Sequence, residues 1–215
     1  MKTRIAIVMI IALPVLQFVY AFDKQDAKGQ VREMVAWAQN RDANPLSYPR
    51  INSEEALEKV ILFVNDPLKY SDLPHAMDGY QLWNYIYLYD SFLFQTKKSK
   101  VEFFFFQQLD TLTKTMNDEK VMLVTTLFIN CHGALYCEGL CGYYTELFGR
   151  YPALFVKDLK KRNDWKRIIG DLAPGDYEAM KAGLAKLGDS KFERELKEFW
   201  VECEKRWRGM MKKLP

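Results

Sequence analysis

The chain has 215 residues, of which 49% are hydrophobic and 27% charged. That composition is globular and excludes a disordered or collagen-like chain. Lys and Arg total 31 against 28 for Asp and Glu, a formal net charge of +3, which speaks against bulk nucleic acid as a partner.

The first segment reads as an address. Lys2 and Arg4 precede residues 5–22, which carry no charge and end in Val19-Tyr20-Ala21. A charged start, an apolar middle and a small-residue exit predict a signal peptide over residues 1–21, cut after Ala21. The remaining 194 residues would carry a net charge of +1. They are expected to form a single all-helical domain over residues 22–215, exported to the periplasm or secreted. An uncleaved membrane anchor is the alternative, since the uncharged run just reaches spanning length. Pro14 and the cleavage site favour removal.

Apolar spacing predicts helices along the rest of the chain. Residues 23–40 place Ala27, Val31, Met34, Val35 and Ala38 on one face. A linker with Pro45 and Pro49 follows. Asn52 and Glu55 have capping-box spacing ahead of Ala56, Val60, Phe63 and Val64, and Asp66-Pro67 stops that helix. Residues 80–94 are apolar on two sides as a helix, which suits a middle layer. Ser99 with Glu102 and Ser190 with Glu193 are two further capping boxes. The latter precedes a seam of Phe192, Leu196, Phe199, Trp200, Cys203, Trp207 and Met210. Residues 121–129 are rich in β-branched side chains and could form a buried strand. The stripe Val121, Val124, Phe128, Cys131, Leu135 predicts a helix instead. The expected class is therefore all-α.

The helix starts expected near Asn52, Ser99, Gly142 and Ser190 lie 47, 43 and 48 residues apart, the spacing of two-helix repeats. Asn117-Asp118-Glu119-Lys120-Val121 opens a long apolar run, and Tyr151-Pro152 marks a helix-pair boundary. In these features residues 52–190 resemble HEAT-type repeats. The resemblance implies stacked antiparallel helix pairs, as a HEAT-like α-solenoid or helical bundle, with a concave face that binds other proteins.

Residues 130–142 hold Cys131, Cys137 and Cys141, and the fourth cysteine is Cys203. Four cysteines in an exported chain read first as two disulfides. Cys137 and Cys141 could meet if Gly139 and Gly142 break the helix between them. Cys131 could then reach Cys203, closing a loop of about 70 residues and stabilising by ~4 kcal/mol. Cys131, His132, Cys137 and Cys141 have the ligand types zinc uses, but not finger spacing. Neither a metal nor any other cofactor is expected. His75, after Pro74, reads as a surface loop residue rather than a catalytic base.

Glu138, with Asp90 or Glu146 as a second carboxylate, could serve hydrolytic chemistry. The simpler reading is that it satisfies backbone N–H groups at a helix junction. Tyr80, Trp83, Tyr87 and Tyr144 could line a ligand groove or partner surface, whereas burial in the core is the plainer role. Lys157, Lys160, Lys161, Arg162, Lys166 and Arg167 form one basic cluster. Lys205, Arg206, Arg208, Lys212 and Lys213 form another at the C-terminus. Membrane contact is expected only through that C-terminus or a retained first segment, and no nucleic acid is expected. The whole points to an exported helical-repeat binding or scaffold protein without catalytic activity, with a protein as partner. An exported helical enzyme, or a carrier of a small ligand or metal, with its site around residues 130–144, is the alternative.

Overall fold

A computed structural model describes residues 24–40, 50–131, 137–172 and 177–211, and among these eleven helices form and no strand. The expected signal peptide and the linker with Pro45 and Pro49 lie outside the described residues. Helix α1 (Lys24–Asn40) buries Ala27, Val31 and Met34, as its spacing predicts. Helix α2 (Glu54–Asn65) begins one residue later than expected, because Ser53 rather than Asn52 is the cap. Ser53 Oγ accepts from the Ala56 N–H at 3.2 Å, while Glu55 turns outward to pair with Lys59 at 2.7 Å. The helix ends at Asp66, just ahead of Pro67, where the ring has no N–H to continue it.

A short helix α3 (Leu73–Ala76) leads into α4 (Gly79–Gln95). Helix α4 buries Leu82, Trp83, Tyr85, Ile86, Leu88, Tyr89, Phe92 and Leu93, too wide an arc for one contact face. It packs against α1, α2 and then α5 (Phe104–Thr113), the middle position its two stripes require. Helix α6 (Asp118–Ile129) settles residues 121–129 as helical, with Asn117 Oδ1 accepting from the Lys120 N–H at 3.0 Å. It stops at Ile129, so the stripe does not run on through Cys131, which sits in a turn.

Helix α7 (Cys137–Arg150) runs unbroken past Gly139 and Gly142. The helix start expected near Gly142 is therefore wrong: an isolated glycine weakens a helix by only ~1 kcal/mol and does not end it. Pro152 opens α8 (Pro152–Leu159), as expected. Helices α9 (Trp165–Asp171) and α10 (Tyr177–Ala185) follow. Helix α10 lies closely on α7, with Gly149 backed directly onto the Ala179 carbonyl. The Ser190 box closes reciprocally at 3.0 and 3.4 Å and opens α11 (Lys191–Met211). Along α11, Leu196, Trp200 and Cys203 are buried, Phe192, Phe199 and Trp207 are half-buried, and Met210 is exposed.

The principal helix–helix contacts join elements at most three apart in chain order, such as α1 with α2 and α4, α6 with α7 and α8, α7 with α10, and α9 with α11. Buried residues from Ala27 to Trp200 nonetheless make one continuous core. Among the described residues, no helix is long and apolar enough to cross a membrane.

Candidate functional site

Of the aromatic candidates, Trp83 on α4 and Tyr144 on α7 are structural struts. Trp83 is 1% exposed and Tyr144 0% exposed, so neither presents a surface. Trp83 packs edge-on against Phe105 at 5.8 Å, and Tyr144 sits against Phe155 at 4.7 Å and Phe128 at 5.3 Å. Tyr87 is half-buried and Tyr80 is exposed. For Trp83 and Tyr144 burial in the core, the plainer of the two roles weighed for Tyr80, Trp83, Tyr87 and Tyr144, is the one observed, because apolar burial drives these large rings inward.

Two further tyrosines of α4, on the stripe of Leu82, Ile86 and Leu93, hold α2. Tyr85 Oη accepts from the Asn52 and Ser53 N–H groups at 2.9 and 3.0 Å, so it caps the helix start from a neighbouring helix. Tyr89 Oη donates to Gln30 of α1 at 2.5 Å and accepts from Asn65 Nδ2 at 3.0 Å. One turn of α4 thereby fastens both ends of α2.

Burial raises the pKa of Tyr89 to about 12, with the hydrogen bond from Asn65 opposing the rise and Asp90 adding to it. Burial also pushes Tyr143 and Tyr144 up. A raised folded value means that stability is fully present below the ordinary tyrosine value of 10 and is lost as pH climbs through the folded values. We therefore expect the thermal midpoint to fall steeply above pH 10, through the window up to about 12. A midpoint that stays level across that window would contradict the buried-tyrosine arrangement.

The three cysteines whose side chains are described are packing residues. Cys131, Cys141 and Cys203 are all buried, and no disulfide joins them. The expected bridge between Cys131 and Cys203 is thus a correction: both thiols are unbridged, Cys131 in the turn after α6 and Cys203 on α11, which packs on α9. Cys141 Sγ donates to the Asp171 carbonyl at 3.6 Å. It lies one turn from Cys137 on an unbroken helix, a geometry unsuited to a bridge. Burial pushes the Cys203 thiol up, away from nucleophile chemistry. A buried thiol behaves as a small hydrophobic side chain.

His132 lies outside the described residues, as do the side chains of Cys137 and Glu138. Among the described residues no group of His, Cys, Asp and Glu could hold a metal ion. His75 is exposed, with Nε2 3.4 Å from Thr126 Oγ1. Asp90 is buried, and its Oδ1 accepts from the Phe105 N–H at 3.1 Å. It caps α5 from within α4, satisfying an amide at a helix end that also favours negative charge. Glu146 is exposed and pairs with Arg150. Asp90 and Glu146 are both accounted for as structural groups.

The basic cluster around α8 and α9 is spread over separate partners. Lys157 pairs with Asp118, Arg162 with Asp158 at 2.8 Å, and Arg167 with Asp164 at 2.8 Å. Lys160 lies over Phe192, and Lys166 over Trp165 and Phe199, at 5.5 to 5.8 Å. Near the C-terminus Arg208 pairs with Glu204 at 2.7 Å, while Lys212 and Lys213 lie outside the described residues.

A cleft the sequence reading missed lies between the start of α6 and α8, about 200 Å³ in volume. Asp118, Glu119, Met122, Lys157, Asp158 and Lys161 line it. The bond from Lys157 holds the Asp118 carboxyl below its usual range, so the main charges of the cleft neutralise each other. Sequence offers no signal for it, since its walls come from helices about 40 residues apart. No protein-family model, curated protein or solved structure matches the chain.

Proposed function

We propose that the protein is an exported binding or scaffold protein, built as a short stack of antiparallel helix pairs, that acts through contact with another protein and carries no catalytic activity. One observation carries this reading. The principal contacts join helices at most three apart in chain order, the local pattern of solenoid architectures, whose faces serve as binding surfaces. The residues first considered for chemistry support it as well. Trp83, Tyr144, Asp90 and Cys141 each have an identified packing or hydrogen-bonding role. The signal peptide over residues 1–21 supplies the route of export.

The double substitution Cys137→Ser and Cys141→Ser tests the reading. Expected is a chain of lower stability, by about 1–3 kcal/mol, that binds its partners as before once folded. A folded double variant that has lost a bound metal or small molecule would overturn the proposal. It would place an enzyme or carrier site around residues 130–144.

A further inference from the structure

Seven large apolar side chains are conspicuously exposed among the described residues, and three of them sit where α4 gives way to α5, one in the last turn of α4 and two in the turn that follows. They are Phe94, Val101 and Phe103, at 43%, 37% and 47% exposure. The other four, Tyr80, Met122, Val201 and Met210, are scattered over three helices, which is ordinary for a soluble surface. The same turn holds Lys97, Lys98 and Lys100 against a single acid, Glu102. Lys98 is tied back to the body, paired with Glu33 of α1 and lying 5.0 Å from the Phe92 ring centre. Lys97 and Lys100 make no ion pair among the described residues.

The turn is ordered by its own hydrogen bonds. Ser99 N–H donates to the Leu93 carbonyl at 2.9 Å, and Ser99 Oγ accepts from the Val101 N–H at 3.0 Å. Thr96 Oγ1 donates to the Phe92 carbonyl at 2.6 Å. Lys97 takes a left-handed conformation, with φ of 59°, where glycine is the usual occupant. A cation therefore stands at a position whose backbone would be easier without a side chain.

The geometry points to this turn as a docking site for an anionic lipid surface. Aromatic and aliphatic tips enter the boundary between headgroups and acyl chains, while lysines extend their charges to the phosphates. The excess of unpaired lysine over acid complements that surface. The site is distinct in sequence from the apolar first segment and from the basic C-terminus, and it does not depend on a protein partner.

The full chain, bound to vesicles of phosphatidylcholine alone or mixed with phosphatidylglycerol, tests the proposal. Wild type should bind the mixed vesicles more tightly, and salt should weaken that preference. Lys97→Ala with Lys100→Ala should weaken binding to mixed vesicles by about 30-fold and leave binding to neutral ones unchanged. Phe94→Ser with Phe103→Ser should weaken binding to both. All side chains changed are exposed, so thermal unfolding should match wild type and report that the fold is intact. Variants that bind as wild type does would overturn the proposal and assign any binding to other segments. So would a wild type that ignores mixed vesicles, or one that binds soluble polyglutamate through this turn in their place.

Discussion

Gly79→Ala is expected to destabilise the fold by about 3 kcal/mol, although local preference alone favours alanine in a helix. Gly79 is the first residue of α4. A Cβ there would lie 2.1 Å from the Asn130 carbonyl oxygen and 3.0 Å from its carbon. Both are backbone atoms, so no rotamer change relieves the clash. Asn130 cannot retreat easily either. Its N–H donates to the Thr126 carbonyl at 3.0 Å, and its side chain donates to the Pro74 carbonyl in α3. The steric cost must therefore be met by moving α4 away from α6. Gly29 and Gly142 supply the contrast, since nothing lies within 4 Å of a Cβ built at either. Alanine at those two positions is expected to stabilise by about 0.5–1 kcal/mol. Urea unfolding of the three variants measures both signs. A Gly79→Ala protein as stable as the parent would mean that α4 does not meet the end of α6 as described.

The second large effect is expected at Trp200. Truncation to alanine should cost about 3–5 kcal/mol, because the side chain is fully buried on α11 beside Tyr177, at 5.9 Å between rings. Trp200→Phe should cost about 1 kcal/mol. It keeps most of the apolar contact and removes an indole N–H that is buried without a hydrogen-bond partner among the described residues. An unmade bond of that kind costs about 1–3 kcal/mol, which offsets much of the lost volume. Thermal unfolding of the pair decides the point. Equal losses in both variants would show that the indole N–H is satisfied and that shape alone does not account for the site.

The parts of this fold that could be read from sequence are those set by neighbours along the chain. Asp66-Pro67 ends α2, Pro152 opens α8, and Ser190 with Glu193 closes a capping box at α11. Each signal acts over a few residues. The Ser99 box fails because Ser99 Oγ accepts from the Val101 N–H within its own turn rather than from Glu102, and α5 starts only at Phe104, where Asp90 caps it from another helix. Helices α9 and α10 are seven and nine residues long, too short to display a periodic stripe. The candidate site was harder still. A tyrosine at helical spacing has the same signature whether it lines a pocket or braces a neighbouring helix. The surroundings decide, as Tyr85 and Tyr144 show. Buried thiols and bridged ones likewise look alike until their separation in space is known.

The most direct measurement is the intact mass of the natively purified chain, taken from its own compartment under non-reducing conditions. The account predicts a chain that begins at Phe22, keeps the thiols of Cys131, Cys141 and Cys203 unbridged to one another, and carries no metal or small molecule. A chain that still begins at Met1 would contradict export by a cleaved signal. A bound metal or small molecule lost on mutating residues 130–144 would contradict the scaffold reading itself.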